Sequence, residues 1–336
     1  MKNKCKCKYT SIGGQALIEG IMMKSPDKGS ALAVRLPDGS IDITHMADKS
    51  IKDKYKILAI PVVRGVVGFV ESMISGYKAM MLSADKSGYA DTVDEETGKT
   101  EKLSSKAWTA IMGVAVVLAF ILCFLLFMLL PKYAVEGLQW LFKTTFPEGV
   151  GPLIEQVIKL IIFLCYIVGV SFMKDIRRVF QYHGAEHKTI FCYEAGLPLT
   201  VENAKKQKRF HPRCGTSFMI LMIIISVFFS TVVQLLFKGV YENSIVWALI
   251  KVAMVPIICG TGYEVLRLCG RYDNLLTRII SAPGVWMQRI TTKEPDDSML
   301  EIAIAALSEV LGDEDKERLL SKAQEETEET ENNDDI

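Results

Sequence analysis

Histidine is scarce in this chain, four in 336 residues, and there is no net charge to read, because 39 lysines and arginines meet 39 aspartates and glutamates. The zero conceals segregation: the region around 174–214 is basic and the C-terminal residues 325–335 are nearly all acidic or polar. No aromatic-basic interleaving or nucleic-acid-binding fold pattern is present, so no nucleic-acid partner is expected. The first thirty residues contain no uninterrupted apolar core, so no secretory signal is expected. Eight cysteines give no disulfide framework. Cys123, Cys165 and Cys259 fall in apolar runs, and the others fall where thiols are expected to stay reduced. No internal repeat is visible.

What is present is apolar length. Hydrophobic residues make up 50% of the chain and the mean hydropathy is +0.24, too apolar for an ordinary soluble domain. Trp108–Leu130 and Gly215–Phe237 carry no charge, and each is long enough to cross a hydrocarbon core of roughly 30 Å. Gly151–Met173 is a third span, with Glu155 and Lys159 spaced to pair at i,i+4. Ser244–Leu266 is a fourth, despite Lys251, Pro256 and Glu264. Lysine and arginine crowd the segment 174–214 and follow the fourth span, whereas the two other connections are poor in them. This places both termini and the histidine loop, 174–214, on the cytoplasmic side of a multi-pass protein of the cell membrane. The expected fold is mainly α-helical, four transmembrane helices with a small β-rich cytoplasmic N-terminal unit over 1–56.

Within that unit, Leu32, Val34 and Leu36 alternate, Pro37-Asp38-Gly39-Ser40 is a turn, and Ile41 and Ile43 resume the alternation, which predicts a hairpin. Ahead of it, Gly13-Gly14 supplies either a tight turn or a close backbone approach. Segment 57–82 is apolar, but Arg64, Glu71 and Lys78 recur on one line, so it is expected to be an interfacial or re-entrant helix rather than a fifth span. A polar linker covers 83–107. After the spans (108–266), residues 267–311 form a cytoplasmic helical region. There Ser281-Ala282-Pro283-Gly284 is expected to break the chain, and Ser298-x-x-Glu301 is expected to cap a helix running to Leu311. Residues 312–336 read as an acidic disordered tail. His45 reads as an ordinary solvent-facing residue.

The chemistry is concentrated in His183-Gly184-Ala185-Glu186-His187 and in His211-Pro212-Arg213-Cys214. On a helix, histidines four apart share a face and can reach one ion, with a carboxylate beside them. This is the inverted zinc-protease pattern, in which the Glu handles the proton of the attacking water. Imidazole and thiolate suit zinc. Two closures fit. His183, His187, His211 and Cys214 would make a closed structural site. Alternatively His183 and His187 with one of His211, Glu194 or Glu264 would leave an open position, with Glu186 as catalytic base. The open site gives Glu186 a task, with His211 the favoured third ligand and Cys214 a neighbouring thiol. Glu264, at the inner end of the fourth span, is the distant candidate carboxylate, and its plain alternative is a rim pair with Arg267 or Arg271. Arg177, Arg178, Lys188, Arg209 and Arg213 form a candidate anion-binding set, although basic residues flank cytoplasmic span ends in any case. The expected activity is zinc-dependent hydrolysis of a membrane protein segment or a lipid headgroup. The alternative is a non-enzymatic scaffold or biogenesis factor stapled by zinc, its partners membrane lipid and membrane proteins. A transporter is disfavoured, because the clean spans show no mid-membrane ionisable pair.

The segments Gly13–Lys24, His183–Lys188, His211–Thr216 and Ala282–Arg289 together resemble the YqhQ family of bacterial membrane proteins, over about residues 10–311. That family is a domain of unknown function described as a predicted metal-dependent enzyme. The resemblance implies a metal site and no particular substrate. The Lys-Cys-Lys-Cys start and the acidic tail lie outside it.

Overall fold

In the computed structural model, the residues described are 10, 12–26, 28–46, 51, 55–89, 91–93, 100–102, 105–147, 150–212, 214–237, 243–272, 274–313 and 315–316. The acidic tail beyond 316, the start of the chain and Arg213 lie outside this set. Four strands, β1 (Gly13–Leu17), β2 (Gly20–Ser25), β3 (Gly29–Arg35) and β4 (Ile41–Met46), form an antiparallel meander in the order β1-β2-β3-β4. The expected β3–β4 hairpin is present, with Arg35 opposite Ile41. Gly39 turns at φ +87°, and Asp38 Oδ1 accepts the Ser40 amide at 2.9 Å, the local bond that makes Asp a turn residue. Glu19, in the β1–β2 turn, also has positive φ (51°). Its carboxylate is held by the Arg178 guanidinium and by the Tyr182 hydroxyl.

Helix α1 (Val63–Lys86) follows, and then a short pair of strands, β5 (Asp91–Val93) and β6 (Thr100–Lys102), inside what the sequence presents as a polar linker. Helix α1 is not among the helices apolar enough to span. Its first half packs on the fourth span and its second half on the sheet. Helices α2 (Ser105–Phe124) and α3 (Leu130–Phe142) are joined by a π-helical turn, Leu125–Leu129, into one apolar helix, Ala110–Phe142. The first span therefore runs past its expected end at 130. Pro131 follows closely on the π-turn inside this continuous helix, where the irregular turn accommodates its ring and its missing N–H.

The other candidate spans lie in α4 (Val150–Val170), α7 (Gly215–Leu236) and α8 (Ser244–Arg271). Glu155 does not pair with Lys159. Its Oε1 accepts from Lys251 of α8, and Lys159 turns to Gln156 at 3.3 Å, because helix crossing brings a partner with better reach than i,i+4 geometry. Between α4 and α7 lie α5 (Lys174–Glu194) and the short α6 (Val201–Lys205), so the expected histidine loop is largely helical.

After α8 come α9 (Leu275–Thr291) and α10 (Asp297–Val310). The expected break at Ser281–Gly284 is absent, and α9 runs through Pro283. Gly284 lies where an added Cβ would meet Ser217 at 2.5–2.6 Å, so tight packing on α7 holds the helix together. The cap of α10 is Asp296, not Ser298: Asp296 Oδ1 accepts the Met299 amide at 2.9 Å, and the Ser298 hydroxyl donates to Asp296. A carboxylate at the N-cap also meets the positive end of the helix dipole.

One core joins segments that the sequence separates. Ile21, Met23, Ala31 and Ala33 of the sheet pack with Tyr182, Ala185 and Ile190 of α5 and with Met299, Leu300, Ile302 and Leu307 of α10. Leu17, Met22, Leu32 and Val34 face the other way, toward Ala79 of α1. The sheet is thus a middle layer, with α5 and α10 on one side and α1 on the other. This body carries the histidines.

Candidate metal centre

Helix α5 buries Tyr182, the whole stretch Gly184–Ile190, Cys192 and Glu194. It can approach the chain that follows α9 because Gly184 has no side chain: the Lys293 carbonyl stands where a Cβ would be. That contact places His183 and His187 between the end of α9 and the start of α7, with ring centroids 4.4 Å apart. His183 Nδ1 lies 2.9 Å from the Thr291 carbonyl, and His187 Nδ1 lies 2.5 Å from the Arg209 carbonyl. A carbonyl can only accept, so each Nδ1 carries the proton and each Nε2 keeps its lone pair free for a ligand.

Cys214 is the N-cap of α7, its Sγ accepting the Thr216 amide at 3.4 Å. The same sulfur lies 3.0 Å from His183 Nε2. His183, His187 and Cys214 offer three ligand atoms within 4.8 Å of one another, the group of metal-ligand type formed among the described residues. His187 Nε2 is buried with no hydrogen-bond partner, the condition expected of a nitrogen shaped to meet an ion. Burial, chiefly, holds the His187 imidazole below its usual pKa and so in the neutral form that ligates. The donor set, two imidazoles and a sulfur, fits zinc.

Glu186 points from the same turn of α5 toward β1. Gly14 makes room for it: a Cβ there would meet the Glu186 side chain at 2.9 Å, and the Gly14 amide donates to the carboxylate. Of the Gly-Gly pair, Gly14 thus serves a close approach, while Gly13 faces open space. Burial raises the pKa of Glu186, against the opposing pull of His183 and of that amide, and its Oε2 has no hydrogen-bond partner.

The remaining candidates are distributed around this group. His211 stands outside the three-donor group, its ring centroid 5.7 Å from that of His187 and its Nε2 3.6 Å from Glu194. Gln288 of α9 clamps the His211 backbone through two 2.7 Å bonds. Glu194 Oε1 also accepts the Thr10 amide at 3.1 Å. Glu264 is engaged elsewhere. Arg64 of α1 takes both its oxygens, at 2.7 and 2.5 Å, and the Val62 amide adds a third contact. Neither the expected approach to the histidines nor the rim pair with Arg267 or Arg271 describes this. In the candidate anion set, Arg178 is bound to Glu19, while Lys188 and Arg209 share Glu294; Arg177 is exposed. These cations balance carboxylates rather than forming an open patch. Thr291, Arg209 and Gln288 act through backbone carbonyls or an amide, which carry no motif. The Gly13-Gly14 pair was the one visible trace of the Glu186 contact. His45 is exposed and meets Glu309 at 3.3 Å.

The family described as "Protein of unknown function (DUF1385)" matches residues 60–313. The "Uncharacterized protein YqhQ" of Bacillus subtilis (strain 168) is 35% identical over 304 residues, covering 89% of this chain and 92% of that protein. No solved structure matches the chain. The chain belongs to the DUF1385 family, which includes the region of its spans and its histidine helix.

Proposed function

We propose that this protein is a zinc-dependent membrane hydrolase, working at the cytoplasmic membrane face on a membrane protein segment or a lipid headgroup. The observation that carries the reading is the convergence of His183, His187 and Cys214 within 4.8 Å, with both Nδ1 atoms tied to carbonyls. Three protein donors leave a fourth position open, and zinc there would acidify a water and polarise an ester or amide carbonyl. Thr291 and Arg209 fix the tautomers, and the cap of α7 fixes the sulfur. Glu186, buried with one oxygen unpartnered and its pKa raised by burial, is suited to take and return a proton. The sidedness rests on the lysine and arginine distribution.

One observation favours the scaffold reading. The three donors link α5 to α7, and their carbonyl partners add the end of α9, so an ion would staple three segments that the chain keeps apart. Purified full-length protein separates the two readings. Zinc per chain should be about one in wild type, Glu186→Gln and His211→Ala, and should be lost in His183→Ala, His187→Ala and Cys214→Ser. Wild type should cleave either a fluorescent phosphatidylglycerol or a dye-labelled transmembrane peptide, and Glu186→Gln neither. Zinc-loaded wild type inert toward both substrates would favour the scaffold, and unchanged zinc in His183→Ala would remove the metal centre itself.

A further inference from the structure

Helix α9 has two faces of opposite character. Leu275, Leu276, Ile279 and Trp286 are 76%, 65%, 60% and 54% exposed. At 3.6 residues per turn they share one side of the helix. The other side holds Gly284, Met287, Gln288 and Thr291, all buried. In water the first face would strand four large apolar side chains on one helix, an unusual concentration for a solvated surface.

Chain connectivity says where that face lies. Helix α8, a candidate span, ends at Arg271, and the Asn274–Thr277 capping box opens α9 within the next few residues. Leu275 and Leu276 therefore start at the end of a membrane-length helix. Gly284 holds α9 against Ser217, in the first turn of α7, so the helix stays level with the ends of two spans. Arg271, Arg278 and Arg289 are exposed beside the apolar face, at the height where phosphate headgroups would be. Helix α1 repeats the pattern: Val70, Met73, Ile74 and Tyr77 are exposed opposite its buried Ser75, Gly76 and Ala79, and Gly65 packs on Gly260 of α8.

We infer that α9 is an in-plane helix seated in the boundary between headgroups and acyl chains of an anionic bilayer, its face Leu275, Leu276, Ile279 and Trp286 turned into the lipid. The inference depends only on the two faces of α9 and on its tie to the spans, not on the metal. It also has a consequence for the site. Thr291 and Gln288, on the inner side of the same helix, hold His183 and His211. A helix is about 10–12 Å across with its side chains, so the histidines lie about one helix from lipid.

The test uses the full chain with p-benzoylphenylalanine at 279 or at 286, and at 43 as a control on the exposed part of β4. Each protein is irradiated in vesicles of phosphatidylethanolamine and phosphatidylglycerol, and the intact chain is weighed by mass spectrometry. Phospholipid adducts at 279 and 286 should exceed those at 43 by about tenfold. Adducts no more frequent than at 43 would overturn the inference, as would cross-linking at 279 and 286 to a second protein chain. Phosphatidylglycerol should be over-represented among the adducts relative to its share of the vesicle, and Arg289→Glu should reduce that excess. Adducts in proportion to vesicle composition would overturn the anionic preference.

Discussion

In the sheet body, Leu300, Ile302 and Leu307 of α10 are wholly buried; in the first span, Phe120 and Leu118 stand mostly exposed. Polar groups run the other way. The spans hide Glu155 completely, whereas the body puts charges such as Lys205 and Asp297 on its surface and buries Glu186, Lys188 and Glu194 only around the histidines. Away from the histidines the body is apolar inside and charged outside; the spans expose apolar side chains and tuck Glu155 and Lys251 between helices. The buried share of the four candidate spans rises along the chain, from 0% in the first to 33% in the fourth. The first span is thus peripheral, and α8 is the one against which α1, α7 and α9 pack.

The sharpest way to break this contrast is at the Glu155–Lys251 pair. Lys251→Met leaves a carboxylate buried without its cation and should cost about 3–5 kcal/mol. Glu155→Gln with Lys251→Met should recover most of that in a double-mutant cycle of unfolding in detergent. A single variant as stable as wild type would mean that water reaches the pair. Next in size, Leu300→Ala should lose about 2–5 kcal/mol by opening a cavity in the body. Phe120→Ala, a larger truncation in the first span, should lose less than about 1 kcal/mol, since few protein contacts vanish. Equal losses would show that α2 is covered by protein. The smallest effect lies at the surface of the body, where the hydrogen bond from Lys86 holds the Asp42 carboxyl below its usual 3.8. Because the folded-state pKa is lowered, this contribution is full above about pH 4 and disappears as pH falls through the lowered value. Lys86→Met should therefore lose less than about 1 kcal/mol at neutral pH, and its melting temperature should converge on that of wild type in acid.

Much of the fold was legible because its signals are local. Apolar length announced the spans, Pro37–Ser40 announced the β3–β4 hairpin, and His183-x-x-Glu186-His187 announced the pair of histidines that come together. What failed depended on contacts between distant segments. Pro283 reads as a breaker, yet the packing of Gly284 on Ser217 keeps α9 whole. Glu155 and Lys159 have ideal spacing, yet Lys251 arrives from another helix. His211 looked the better ligand by residue type, but Cys214 enters the group because a helix cap sets its position. Glu264 could not be paired from sequence, because Arg64 is 200 positions away.

That distance matters before the protein is finished. The core of the body draws on strands near the N-terminus, on α5 in the middle and on α10 near the end, as in the Arg35–Glu301 bond across 266 positions. During synthesis the sheet emerges first, and one of its faces lacks the part of its cover that α10 supplies until all four spans are made. The carbonyl of Thr291, which sets the His183 tautomer, appears late as well. The histidines are thus made long before they can be poised, so the site cannot mature in a chain whose membrane insertion has stalled. A nascent chain arrested before residue 297 should leave strands β2 and β3 open to protease, and release of the full chain should protect them.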